Sequence, residues 1–337
     1  MRFEFYHDGL RDIPKLSVDG TVGNSIHFSH WKGNETPADV KADTSTEIAL
    51  NVVASPRRDG LTQGIELVTN NHFDTDGVLS VWSMVTCAPA LKWRERLIAA
   101  AEAGDFSEYS DETAVKVSLI IQGSDSPVAG EPAGSPLANQ LAGTGVADDA
   151  HAYELVLPVV EQVLADVDRF ESLWRAPWER TERALNSFAA GASRVREDPG
   201  GMVSLVLLAP EIFSPSGFKP TRHAAPFTAI SHHARGRFFV IATPVNDGWS
   251  YRLDYPYYSW AETVVRPRIE HRDLTELLKN LNELERDTDH RWASDDSEMT
   301  SAAKFFAPDG GLAISTLDPE TVAQAVRAAI SEPAKGA

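Results

Sequence analysis

The segment Leu67-Val68-Thr69-Asn70-Asn71-His72-Phe73-Asp74-Thr75-Asp76-Gly77-Val78-Leu79-Ser80 constrains this chain more than any other. A short apolar run ends in polar residues, passes a glycine and enters a second apolar run, the pattern of a strand handing over to a helix. On an extended backbone successive side chains alternate between faces, so His72, Asp74 and Asp76 would project to the same side. In open α/β sheets ligands bind outside the carboxyl ends of the strands. Two carboxylates and an imidazole at such a place suit a divalent cation, Mn²⁺ or Mg²⁺, which prefers oxygen donors and tolerates imidazole. The competing interpretation is a polar loop whose aspartates cap the following helix.

At 337 residues the chain is long enough for two domains and a large core without disulfides. Its single cysteine, Cys87, excludes an intrachain disulfide and lies in an apolar stretch, as a buried thiol would. A net charge of −18 opposes binding to duplex nucleic acid or anionic membranes. A bound cation or a local arginine cluster still allows a small anionic phosphorylated substrate. No run reaches the roughly 18 apolar residues of a membrane span, and the N-terminus lacks a secretory layout, so a cytoplasmic location is expected.

Along the chain, Val22 to Phe28 and Glu66 to Asn70 are expected strands, and Ile48 to Val53 a strand or a helix capped by Thr44 or Ser45. His27, His30 and Trp31 with Asp43 and Ser45 form a polar set, either a capped turn or a lining of the same cleft. Val78 to Thr86 and Pro89 to Ala103 are expected helices, the latter stopping at Gly104-Asp105, and Val115 to Gln122 a buried strand. Residues 123–145, rich in Gly, Pro, Ser and Ala, read as a long loop; within it, Ala142 to Val146 has only a superficial likeness to a phosphate-binding glycine loop. Leu155, Val159, Val163 and Val167 mark a helical stripe that Trp174 and Trp178 continue as core residues, with a break at Pro177. Beyond Glu197-Asp198-Pro199-Gly200-Gly201, strands are expected at 202–208, 238–242 and, after the Asn246-Asp247-Gly248 turn, 249–258. Helices are expected at 273–284, with Asp273 as N-cap, and at 318–330. The expected architecture is α/β: residues 1–198 form a largely parallel sheet with flanking helices, and 199–337 a smaller α+β domain closing the cleft.

His72-Phe73-Asp74-Thr75-Asp76-Gly77 resembles the first motif of the DHH phosphoesterase superfamily, in which an apolar strand ends in a polar residue, Asp-x-Asp, a small residue and a helix. The resemblance covers about 15 residues of the 337. It implies a metal-dependent phosphoesterase with His72, Asp74 and Asp76 as ligands. Ala100-Ala101-Glu102-Ala103-Gly104-Asp105 would supply the later acidic motif and make Asp105 a further ligand. The name-giving motif has its nearest match in Ser231-His232-His233, with Ser in place of Asp. The C-terminal glycine-rich motif has only Asp309-Gly310-Gly311, which lacks its His.

Between Arg222 and Arg272 stand seven arginines (222, 235, 237, 252, 266, 268, 272), no lysine and four acidic residues. Arg suits bidentate contact with phosphate, so Arg266 and Arg268 are candidates to stabilise phosphoryl charge. Pairing with Asp254, Glu262 and Glu270 is the alternative. Tyr255, Tyr257, Tyr258 and Trp260 suit either stacking on a base or cross-strand packing. The leading expectation is a metal-dependent hydrolase of a phosphoester or phosphoanhydride of nucleotide or oligonucleotide type. It uses Mn²⁺ or Mg²⁺ held by His72, Asp74, Asp76 and Asp105, with catalytic parts for Asp76, His232, His233, Arg266 and Arg268. An amide or ester hydrolase with the same ligands and a non-enzymatic ligand-binding protein remain open.

Overall fold

The computed structural model describes residues 1–124, 134–143, 145–210, 225–285, 289–294, 301–309 and 313–331. The chain divides into two compact units, Met1–Trp178 with Ala261–Arg268, and Glu179–Trp260 with Ile269–Ala337. The division falls about twenty residues before the expected 198/199 boundary, and a short stretch of the second half rejoins the first unit.

The first unit is built on strands β1 (Arg2–Phe3), β2 (Lys15–Val18), β3 (Ser25–Phe28) and β4 (Leu67–Thr69), in the order β1-β4-β2-β3. Every pairing is parallel. Parallel strands are covered on both faces and carry no polar alternation. Accordingly β2 is buried at all four positions, including Lys15. Its ammonium is satisfied by the carbonyls of Leu10 (2.9 Å), Ile13 (3.0 Å), Asn24 (3.1 Å) and Arg11 (3.4 Å), as a buried cation requires.

Helices α1 (Ser45–Ala54), α2 (Arg58–Thr62), α3 (Thr75–Thr86), α4 (Arg94–Asp105), α5 (Glu112–Ile121), α6 (Pro136–Ala142), α7 (Asp149–Val156), α8 (Val160–Ala165) and α9 (Glu171–Ala189) follow, α9 carrying the chain into the second unit. Of the two alternatives for 48–53 the chain takes the helix, capped by Thr44, whose hydroxyl accepts from the Glu47 amide at 3.2 Å. The strand expected at 115–122 is instead α5. It starts on an Asp111 cap and is buried at nearly every position, Lys116 and Ser118 included, so the weak apolar–polar alternation of Val115 to Leu119 does not mark two faces of a strand. The single helix expected from Pro89 splits into a 3₁₀ turn at Ala88–Trp93 and α4, which runs through Gly104 to Asp105. Of the stripe expected at Leu155, Val159, Val163 and Val167 only Val163 is fully buried; the turn at Pro158 puts Tyr153, Val156, Val160 and Leu164 in the core beside it. Trp174 and Trp178 are buried, with the Lys116 ammonium 3.7 Å from the Trp174 ring centre. Pro177 lies inside α9. The loop expected at 123–145 contains α6, and residues 125–133 and 144, including the middle of the glycine-rich fragment, lie outside the described residues.

The second unit carries a mixed sheet, β5 (Arg194–Glu197), β6 (Val203–Leu207), β7 (Phe238–Val245), β8 (Gly248–Asp254), β9 (Arg291–Ser294) and β10 (Ser301–Phe306), in the order β5-β6-β7-β8-β10-β9. Only β6 and β7 pair in parallel. The hairpin at Asn246 forms as expected, with that residue at φ +50°, but its return strand ends at Asp254. Side chains on β7 alternate between two cores. Phe238, Val240 and Ala242 pack with Leu277 and Leu281 of α11 (Thr275–Leu284) and Val322 and Val326 of α12 (Pro319–Ser331). Phe239 and Ile241 pack with Phe227 and Ile230 of α10 (Phe227–His233). Asp273 does not occupy the N-cap of α11 but accepts from the Thr275 amide and hydroxyl at 2.9 and 2.6 Å. Among the described residues no helix is long and apolar enough to cross a membrane.

Gly77 tests how tightly the first unit is packed where β4 passes into α3. A Cβ there would lie 2.5 Å from Asn70 Nδ2 and 2.8 Å from the Tyr153 hydroxyl, whereas one at Gly60 in α2 meets nothing within 4 Å. Gly77→Ala is expected to destabilise the protein by about 1–3 kcal/mol through overpacking. Gly60→Ala should be neutral or stabilise by up to about 1 kcal/mol. Thermal denaturation of the two variants distinguishes them.

Candidate metal centre

Three adjacent parallel strands end side by side at the carboxyl edge of the first sheet. The residue after β2 is Asp19, at φ +64°, in the left-handed region that Asp enters more readily than most L-residues. Two residues beyond β3 is His30. Beyond β4 the chain runs through Asn70, Asn71 and His72 to Asp74 and Asp76. Asp105, the last residue of α4, arrives from the helical layer.

These side chains form two sets, each with ligand atoms within 4.8 Å of one another: Asp19, His30, Asp76 and Asp105, and Asp19, His72 and Asp74. His30 Nε2 stands 3.1 Å from Asp105 Oδ2, 3.5 Å from Asp19 Oδ1 and 3.6 Å from Asp76 Oδ2. His72 Nε2 stands 2.8 Å from Asp19 Oδ2 and 3.2 Å from Asp74 Oδ2. Asp19 therefore belongs to both sets, one oxygen turned to each. Asp19 Oδ2 and His72 Nε2 face each other off the line of a hydrogen bond, so both atoms are buried without one. Buried polar atoms are normally satisfied, and an ion between them is one way to do it.

Both imidazoles are held from behind. His30 Nδ1 lies 2.6 Å from the Asp43 carbonyl, which can only accept, so Nδ1 carries the proton. His72 Nδ1 lies 3.0 Å from Asn71 Oδ1. A proton on each Nδ1 aims the Nε2 lone pairs at the carboxylates, the orientation metal-binding histidines take. Asp76 accepts from the Ser45 and Thr46 amides at the start of α1, one oxygen each, both at 2.7 Å. Each carboxylate oxygen has two lone pairs, so one per oxygen stays available. Asp19 Oδ1 also accepts from the Ser45 hydroxyl at 2.9 Å.

The charges are deeply coupled. Burial alone would lower His30, but the bond to Asp105 and the charges of Asp76, Asp105 and Asp19 outweigh it and push it up to about 10. Burial likewise pulls His72 down, but the facing Asp19 and then Asp74 raise it to about 12. Burial and the neighbouring Asp19 charge push Asp76 up to about 6. Burial, then Asp74 and Asp76, raise Asp105 well above the carboxylate range. Burial would raise Asp19 too, but His72, His30 and Ser45 together hold it low.

The structure brings His72, Asp74, Asp76 and Asp105 together, though not on one extended strand. Asp74 is the N-cap of α3, its Oδ1 accepting from the Gly77 amide at 2.7 Å, and Asp76 sits in the first helical turn. Capping and the turn to the cluster thus use different oxygens of Asp74. Asp19 was missed by sequence reasoning, although Val18-Asp19-Gly20 carries at a strand end the same Asp-Gly pair that Asp76-Gly77 carries in the first turn of α3. His30 stood out as part of a polar set read either as a capped turn or as a lining of the same cleft, and not as a member of the acidic cluster, because nothing local shows that β3 lies beside β2.

Arg266 is committed elsewhere. Its guanidinium makes four hydrogen bonds, to Asp43, Glu102 and twice to Glu108. These carboxylates replace the partners expected for the arginines, Glu262 and Glu270, while Arg252 does pair with Asp254 at 2.8 Å. Arg268 is exposed. His232 and His233 end a helix, α10, rather than following a strand, and belong to neither set. His233 stacks on Phe188 at 4.5 Å, and burial, then the charges of His232 and Arg235, keep it below the usual imidazole value. Tyr257 stacks on Phe227 at 4.0 Å, as packing. Arg222, Gly310 and Gly311 lie outside the described residues.

The chain belongs to a family of unknown function, DUF6687, whose model matches residues 2–326. No curated protein matches it. Among solved structures it is similar to the pGpG-specific phosphodiesterase PggH from Vibrio cholerae, with 10% identity over 97% of this chain and 89% of that one. The TM-score is 0.38, too low for the likeness to carry an argument.

The raised imidazoles set the pH response of the metal-free protein. A proton bound more tightly in the folded state than at the ordinary value of 6.5 stabilises the fold fully below that pH. The contribution is lost as pH rises through the folded value, about 10 for His30. The Tm of chelator-treated protein is therefore expected to fall from pH 7 to pH 10 in a thermal melt, and His30→Gln should flatten that slope.

Proposed function

We propose that the first unit is a metal-dependent hydrolase centre that holds two divalent cations, Mn²⁺ or Mg²⁺, and acts on a phosphoester or phosphoanhydride. The observation that carries this reading is Asp19, which turns Oδ1 to one His-Asp set and Oδ2 to the other. His30, Asp76 and Asp105 would hold one cation, His72 and Asp74 the second, with Asp19 shared. The charge balance supports it. Four carboxylates crowd two imidazolium ions in a largely buried site, where burial and the excess of negative charge drive Asp105 to keep its proton, a costly arrangement. With neutral imidazoles, the four negative charges match two divalent cations. When bound, such ions activate water near neutral pH and neutralise phosphoryl charge, the chemistry of two-metal phosphatases and nucleases.

The chain's own residues set direction and order. Asp19, His30 and Asp76 are sealed, and the Asp105 side chain is 5% exposed, but His72 and Asp74 are 27% and 29% exposed. Substrate therefore approaches from the His72–Asp74 side. Trp31, 36% exposed with its ring centre 5.3 Å from that of His72, borders this approach and suits stacking on a base, in keeping with a nucleotide or oligonucleotide substrate. The amides of Ser45 and Thr46 fix Asp76, and those of Asn71 and Gly20 fix the Asn70 side chain through its Oδ1, beneath the loop that bears His72.

The amide bonds to Asp76 also suit a rival, a closed ion-pair core with no metal and no catalysis. Calorimetric titration with Mn²⁺ separates the two: about two equivalents are expected for the wild type, and a flat trace ends the hydrolase reading. The loaded protein should cleave bis-p-nitrophenyl phosphate, a short oligonucleotide or pyrophosphate, and Asp19→Asn should return the rate to background. Turnover confined to amide or ester panels would move the assignment to that class. Trp31→Ala should raise KM for the oligonucleotide roughly 10-fold, a modest value for loss of one stacked base, and leave that for pyrophosphate unchanged.

A further inference from the structure

We propose that Arg266 is a positioning residue for the His30 end of the centre, acting through Asp43 and through the end of α4. The proposal rests on the two-cation reading. After Trp260 the chain enters the first unit for eight residues, Ala261–Arg268. Glu262 anchors this segment, its amide donating to the His30 carbonyl at 2.7 Å and its carboxylate accepting from the Gly33 amide and Asn34. Three consecutive amides, those of Val264, Val265 and Arg266, then close on the Asp43 carboxylate. The Arg266 guanidinium adds a bond to the same carboxylate at 2.7 Å.

Asp43 works at both of its polar ends. Its carboxylate is clamped by the segment, and its carbonyl fixes the Nδ1 proton of His30. The next three residues, Thr44 to Thr46, start α1 and supply the amides that hold Asp76. On its other side the guanidinium bonds Glu102 at 2.7 Å and Glu108 at 2.6 and 2.8 Å, the two acids that flank Asp105 in sequence. Its flat face lies 4.9 Å from the ring centre of Phe106, the residue after Asp105. One planar cation thus ties the loop that orients His30 and Asp76 to the helix end that delivers Asp105. Among the described residues none of its bonds reaches His72 or Asp74. The fork geometry is specific to arginine, because three carboxylates in different directions need several fixed donors.

The role has a signature that plain stabilisation lacks: it affects one cation and not the other. Full-length protein is titrated with Mn²⁺ by calorimetry. Wild type is expected to bind two ions. In Arg266→Ala the site built on His30 should weaken about 10- to 100-fold, as when a group supporting a metal ligand is lost, with the other site unchanged. Adding His72→Ala to that variant should abolish the remaining tight site, and Arg266→Lys should restore the weakened one only in part. Asp43→Asn keeps the shape, removes the charge and serves where Arg266→Ala does not fold; it should show the same one-sided loss. Two sites of unaltered affinity in either variant, with only Tm lowered, overturn the positioning role and leave the centre standing. A wild type that binds no Mn²⁺ overturns the centre and this role with it.

Discussion

Desolvated charge is the constraint on which the first unit depends. Four aspartates and two histidines converge at one edge of a parallel sheet, most of them sealed from water. Burying like charges side by side is among the costliest things a fold can do, and it persists only where compensation is built in. The compensation is visible at each group. Asp76 has the amides that open α1, Asp19 has the Ser45 hydroxyl and two imidazoles, and Asp74 has the start of its own helix. The short strands, the tight entry into α3 and the position of α4 all follow from bringing these groups within a few ångströms without leaving them bare.

The same constraint organises the surroundings. Each imidazole is backed by an acceptor that fixes its tautomer, and one backer, Asp43, is clamped by four donors from a distant stretch of chain. The arrangement is layered: the clustered carboxylates and imidazoles first, then the groups bonded behind them, then an arginine bonded to one of those groups. Exposure decreases in the same direction, from His72 and Asp74 at the rim to His30 at the base.

How much of this was legible in the sequence depended on how local the signal was. The strand, turn and helix around His72 to Asp76 were legible because apolar runs, a capping aspartate and a glycine lie within fifteen residues. The α/β class followed from such units. Asp19 and His30 were not legible as members of the cluster, because their relation to Asp76 exists only through the pairing of β2 with β3 and β4. α5 looked like a strand because Lys116 and Ser118 alternate with apolar neighbours, although the helix buries both of them. Of the two meanings the arginine excess allowed, Arg266 takes pairing, but with acids more than 150 positions earlier, and no local pattern reports such a partner.

The return of residues 261–268 to the first unit has a consequence for biogenesis. Synthesis is vectorial, and early regions of a chain begin to fold before later ones exist. The sheet, α1 and α4 are complete on the ribosome long before Arg266 is made, so Asp43, Glu102 and Glu108 meet their shared counter-charge only near the end of translation. Until then the nascent first unit holds these three acids without the arginine that joins them.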